Sequence, residues 1–96
     1  MAEARGTVSG SRNTHELKFY GISTCVWCRR TRKFLEDQDV SFDFTYLDLV
    51  EGEELHAARE AVRKWNPKMS FPTVVIDNDA CVVGYHPDEL REALGL

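Results

Sequence analysis

Residues 20–28 read Tyr20-Gly21-Ile22-Ser23-Thr24-Cys25-Val26-Trp27-Cys28, and the reading of this stretch decides the fold. The apolar and aromatic run His15 to Tyr20 has the composition of a strand, ended by Gly21. From Cys25 the period changes, because Val26, Arg30 and Phe34, and likewise Trp27, Thr31 and Leu35, recur at helical spacing. A strand therefore passes into a helix, expected over about 26–37, through a turn that carries a Cys-x-x-C pair.

Outward from that junction the pattern repeats. Val40, Phe42, Phe44 and Tyr46 alternate with Ser41, Asp43, Thr45 and Leu47, which predicts a second strand with one apolar face. Acids at Glu51, Glu53 and Glu54 open a second helix over about 53–65, whose stripe is Leu55, Ala58, Val62 and Trp65 and whose stop is Asn66-Pro67. Thr73 to Ile76 is a continuous apolar run, the signature of a strand buried on both sides. Asp77-Asn78-Asp79 supplies a hairpin turn, Ala80 to Val83 its return strand, and Pro87 the first turn of a last helix. The order β-α-β-α-β-β-α predicts an α/β domain with a four-stranded mixed sheet and three helices over residues 15–96. Residues 1–14 mix small and polar types without period and are expected to form a disordered tail.

The 96 residues are enough for one core, and 43% apolar with 29% charged residues is a globular composition. A net charge of −4 argues against a bulk electrostatic grip on nucleic acid or anionic membrane. No stretch has the length of a membrane span, and the opening residues lack the apolar segment of a secretory signal. A cytoplasmic monomer is the expectation, and three cysteines are too few and odd in number for a secreted disulfide framework.

In a reducing compartment the Cys25/Cys28 pair means redox chemistry or metal. Cys25 falls near the helix start, where unpaired N–H groups and the helix dipole carry roughly half a positive charge. Arg29, Arg30, Arg32 and Lys33 follow, so the Cys25 thiolate is expected to form below the free-cysteine pKa of about 8.5. Cys28, a turn later and turned toward the sheet, suits the second step of disulfide exchange. The rival reading is a zinc site completed by Cys81 and His86, although zinc usually staples small loop-rich modules rather than a chain with helices and strands of its own. Cys81, in a strand, otherwise reads as a buried structural thiol.

Three blocks occur in order: the stretch at 20–28, Ser70-Phe71-Pro72-Thr73 before a strand, and Val83-Gly84-Tyr85-His86-Pro87-Asp88 before the last helix. Together they cover the chain from residue 15 on and resemble the glutaredoxin family, which has the thioredoxin fold. The resemblance implies a thiol-disulfide oxidoreductase in which Cys25 attacks and Cys28 resolves, with no tightly bound cofactor and with glutathione as a co-substrate. It implies a cis Phe71-Pro72 bond and a Phe71 backbone that pairs with a substrate peptide, where residue pattern alone also allows a trans proline opening a strand. The substrate-binding candidates are Trp27, Phe71, Pro72, Gly84, Tyr85 and Asp88. Asp88 would accept from the amine of a γ-glutamyl group, or else only complement the helix dipole. Trp27 either stacks on substrate or packs on Pro72, and His86 is a helix-start residue or a substrate contact.

The chain also departs from the pattern. Glutaredoxins commonly carry a lysine three residues before the first cysteine, proline and tyrosine between the cysteines, and Gly-Gly before the last helix; here those positions are Ile22, Val26-Trp27 and Val83-Gly84. The Cys-Val-x-Cys core and the Gly-Tyr-His-Pro-Asp block are closer to the redoxins that supply electrons to ribonucleotide reductase and are recharged by thioredoxin reductase. Disulfide-containing proteins are then the substrates, and glutathione or thioredoxin reductase the electron donor. An alternative implied by the family is an iron-sulfur or metal-binding module using Cys25 with glutathione or a partner subunit.

Overall fold

Strand periodicity and turn chemistry dictate most of the architecture seen in a computed structural model, which describes residues 3–96. The strands are β1 (Arg5–Val8), β2 (Leu17–Gly21), β3 (Phe42–Tyr46), β4 (Thr73–Ile76) and β5 (Ala80–Val83), and the helices α1 (Val26–Asp37), α2 (Gly52–Trp65) and α3 (Pro87–Leu94). They build a thioredoxin-like α/β fold with sheet order β1-β3-β2-β4-β5. Among the described residues no helix is long and apolar enough to cross a membrane.

Two packed layers follow from the alternation of side chains along the strands. Leu17 and Phe19 of β2, Phe42, Phe44 and Tyr46 of β3, Val74 of β4 and Val82 of β5 face α1 and α3, meeting Phe34, Leu35, Leu90 and Leu94. Tyr20 and Val75 face the other way, against Ala58 and Val62 of α2. Each such side chain withdrawn from water contributes roughly 1.5–3 kcal/mol. β4 is buried along its whole length, as its unbroken apolar run predicts. Its hairpin turns at Asp77 and Asn78, whose φ values of 55° and 51° lie in the left-handed region that Asp and Asn tolerate.

The sheet has five strands rather than the expected four, and the fifth comes from the stretch expected to be a disordered tail. β1 pairs antiparallel with β3 from Arg5 opposite Thr45 to Val8 opposite Phe42. Thr7 Oγ1 donates to Asp43 at 2.7 Å, the Tyr46 N–H donates to the Ala4 carbonyl, and the Ser41 N–H to the Arg12 carbonyl. Gly10 is required in this segment, since a Cβ there would lie 2.4 Å from the Asp39 carbonyl oxygen. The pattern of Arg-Gly-Thr-Val carries no strand signal because its partner's edge, and not its own side chains, makes it a strand. Met1 and Ala2, also assigned to the tail, lie outside the described residues.

Register places the functional end of the sheet. β2 and β3 run parallel, while β4 runs antiparallel to β2 with Tyr20 opposite Thr73. The end of β2 therefore lies beside Pro72, and β5, with Val83 opposite Thr73, brings Gly84 to the same rim. The Gly84 N–H donates to the Pro72 carbonyl at 2.8 Å, closing that rim.

Candidate active site

Cys25 is the N-cap of α1, with extended backbone at φ −82° and ψ 122°. Its sulfur accepts from the Cys28 N–H at 3.4 Å, occupying the place of an N-cap oxygen, and its own N–H donates to the Ile22 carbonyl at 3.0 Å. Cys28 is fully buried against the α1 core, and its sulfur accepts from the Ile22 N–H at 3.5 Å. All three cysteines are free thiols.

The two sulfurs ionise in opposite senses. Burial works against the Cys25 thiolate, but the Cys28 N–H, the Cys28 thiol, the Trp27 N–H and the Arg29 charge together outweigh it, so its pKa lies below the ordinary thiol value. Burial pushes Cys28 up to about 12, with the Cys25 sulfur and the Asp48 carboxylate adding to the effect and the Ile22 N–H opposing it. Of the four cations expected to help Cys25, Arg29 alone bears on it. The Arg30 guanidinium lies over the Trp27 ring at 5.0 Å, Arg32 covers Phe44 at 4.2 Å and donates to the Tyr46 hydroxyl, and Lys33 pairs with Asp37. Backbone donors at the helix start therefore do most of what the sequence assigned to side-chain charge.

This asymmetry has a direct readout. Titration with iodoacetamide at pH 7–8 is expected to label one thiol fast, Cys25, with Cys28 and the burial-raised Cys81 far behind. Because the folded pKa of Cys25 is depressed, its rate-against-pH curve should rise at lower pH than that of the urea-unfolded chain. Equal labelling of two thiols, or coincident curves, would contradict the arrangement.

The Phe71-Pro72 bond is cis. Pro72 itself is fully buried, so it is Phe71 that reaches the surface, and among the described residues no backbone group pairs with the Phe71 N–H or carbonyl. Trp27, half exposed, stacks on Tyr85 with centroids 6.1 Å apart and planes 23° apart. Its ring partner is thus Tyr85, which neither sequence reading named. Trp27, Phe71, Gly84, Tyr85 and His86 line one shallow depression of about 250 Å³ at the rim. Gly84 turns at φ 88°, where a Cβ would also crowd the His86 ring at 3.2 Å. His86 is the N-cap of α3 without a side-chain capping bond. Asp88 stands outside the depression, its side chain 98% exposed and bonded to Arg91 at 3.1 Å.

Cys81 lies on the far face of the sheet, in the α2 layer, with its thiol toward the Trp65 carbonyl at 3.7 Å. Cys28 sits on α1, packed against the opposite face of the sheet, so the zinc set of Cys25, Cys28, Cys81 and His86 is not assembled. Among the described residues no three metal-ligating side chains converge.

Two functional candidates have no sequence signal. The Asp48 carboxylate, in the turn after β3, takes both the Ser23 N–H at 2.9 Å and the Ser23 hydroxyl at 2.5 Å. Burial raises its pKa, but the two Ser23 contacts and its own N–H outweigh that and hold it below the usual carboxylate value. Nothing in the spacing of two residues 25 positions apart announces the contact.

An N-capping thiol with a buried thiol one turn behind it, at the rim of a sheet of this topology, is a candidate dithiol redox centre on the thioredoxin fold. The family model described as Glutaredoxin matches residues 17–81, and the chain belongs to the glutaredoxin family. It is similar to the crystal structure of a glutaredoxin from Methanosarcina mazei Go1, with a TM-score of 0.92 and 44% identity over 98% of this chain and 90% of that one. Methanoredoxin from Methanosarcina acetivorans follows at a TM-score of 0.90 and 40% identity, over 95% of this chain and 96% of the other. A glutaredoxin-like 8.6 kDa protein encoded in a rubredoxin operon of Clostridium pasteurianum is 26% identical, over 81% of this chain and 96% of its own length. The chain is thus a glutaredoxin-type thiol redox protein.

Proposed function

We propose that this chain reduces protein disulfides and glutathione mixed disulfides through Cys25 and Cys28. The observation that carries the reading is the unequal pair of sulfurs: one ionised early at the helix start, one kept protonated in the core. The Cys25 thiolate attacks a substrate sulfur, forming a mixed disulfide and expelling the other substrate sulfur as a thiolate, which takes up a proton. Cys28 loses its proton and attacks the Cys25 sulfur; the Cys25–Cys28 disulfide forms and the second substrate thiolate leaves. Two electrons pass to the substrate. Supporting the substrate side are the unpaired Phe71 backbone, ready for a short added strand, and the depression bounded by Trp27, Gly84 and Tyr85. Membership of the family favours this exchange over the cluster-binding alternative.

The charges at the rim support thioredoxin reductase over glutathione as the electron donor. Ile22 occupies the position of the family's lysine, and Asp88 is engaged by Arg91, so two polar anchors for glutathione are missing or occupied. A charge-assisted contact contributes about 1.5–3 kcal/mol, or roughly one to two decades of affinity. Oxidised protein is expected to be recharged at least about ten times faster by thioredoxin reductase with NADPH than by glutathione with its reductase. Recharging by neither donor would overturn the proposed reaction; equal rates would overturn only the choice of donor.

A further inference from the structure

The reaction proposed above needs Cys28 to become a nucleophile although burial and neighbouring negative charge oppose it. One donor favours that thiolate, the Ile22 N–H, 3.5 Å from the Cys28 sulfur. Ile22 belongs to the turn between β2 and α1, and its carbonyl is held by the Cys25 N–H at 3.0 Å. The next residue, Ser23, is fastened by its N–H and its hydroxyl to the two carboxylate oxygens of Asp48, 25 positions along the chain. Asp48 is itself carried by the turn that leaves β3, where the Leu47 N–H donates to the Gly21 carbonyl at 2.9 Å. A continuous set of contacts thus runs from the sheet through Asp48 and Ser23 to Ile22, whose N–H meets the Cys28 sulfur and whose carbonyl takes the Cys25 N–H.

We infer that Asp48 is a positioning residue for the second half of the exchange: through its two contacts with Ser23 it holds the Ile22 N–H on the sulfur of Cys28 as that sulfur becomes the attacking thiolate. In that step the Cys28 S–H gives its proton to solvent, the Cys28 sulfur bonds to the Cys25 sulfur, the Cys25–substrate S–S bond breaks, and the substrate leaves as thiolate. The first step, attack by Cys25, relies mainly on the N–H groups of Trp27 and Cys28 within α1 and is largely independent of the clamp. Asp48 also acts on Cys28 in the opposite sense, since its charge disfavours the thiolate. The carboxylate therefore has two effects, and they separate by substitution. Asp48→Asn and Asp48→Ala both remove the charge, but the asparagine carbonyl still accepts from the Ser23 N–H and its amide still meets the hydroxyl.

The inference rests on the reaction proposed for Cys25 and Cys28, and a two-step measurement keeps the two apart. Protein is mixed with a disulfide peptide, quenched with acid at intervals, and the mixed disulfide and the oxidised protein are counted by mass spectrometry. Asp48→Ala is expected to slow the decay of the mixed disulfide about tenfold relative to Asp48→Asn, while the rate of its formation differs by less than about twofold. Ser23→Ala, which loses one of the two contacts, should fall between them and serves if Asp48→Ala does not fold. Ser23→Thr, which keeps the hydroxyl, should restore the wild-type decay. Equal decay in Asp48→Ala and Asp48→Asn overturns the positioning role, as does slowing of both steps alike. Absence of any mixed disulfide at Cys25 in the wild-type protein would instead overturn the underlying reaction.

Discussion

Replacing Cys25 with serine is expected to end disulfide reduction, with a loss of at least about a thousandfold toward protein and low-molecular-weight disulfides alike. The reason lies in the cap. The donors that converge on the Cys25 sulfur, above all the Cys28 and Trp27 N–H groups, stabilise an anion at this position. A serine hydroxyl caps the helix just as well, so the fold should keep its stability, but it stays protonated at neutral pH and forms no bond to sulfur that exchange can reverse. Circular dichroism and thermal melting should be unchanged while insulin-disulfide and hydroxyethyl-disulfide turnover vanish. Retained turnover in Cys25→Ser would remove the mechanism altogether.

Replacing Cys28 with serine is expected to give the complementary result: the first bond forms and the second does not. The mixed disulfide at Cys25 should accumulate, visible as a mass increase equal to the bound thiol, and two-thiol turnover should fall about a hundredfold or more. In the wild-type protein, the release step should accelerate with pH across the neutral range. The sign follows from the Cys28 thiol being pushed up to about 12 in the reduced protein, chiefly by burial. Below its pKa the ionised fraction of such a group grows about tenfold per pH unit. Once Cys25 is tied up in a mixed disulfide its own charge is gone, which removes one cause of the elevation and leaves burial and Asp48. A wild-type release step that slows with rising pH, or a Cys28→Ser protein that turns over a protein disulfide at the wild-type rate, would contradict this division of labour.

The parts of the molecule with their own local signal were legible from the residues. The helix expected over 26–37 is Val26–Asp37, and the Asp-Asn turn with its two flanking strands stands where the pattern places it, because periodicity and turn chemistry are encoded within a few neighbouring positions. β1 was not legible, since Arg5 to Val8 become a strand only by pairing with an edge made 34 or more positions away. The same distinction holds at the site. Cys25 at a helix start is visible in the order of residues; that Arg32 and Lys33 turn to Tyr46 and Asp37 instead is decided by packing. The Trp27–Tyr85 stack and the Asp48–Ser23 contact join residues from different elements, and no spacing rule links them.

Where the third thiol stands has its own consequence. Three free cysteines allow three internal pairings, and a chain handling disulfides for its living runs the risk of tangling its own. With the sheet interposed between Cys81 and the other two, only one of those isomers is within reach of the folded molecule. Each oxidation of the pair proposed for the exchange would then return the same covalent form, the Cys25–Cys28 disulfide.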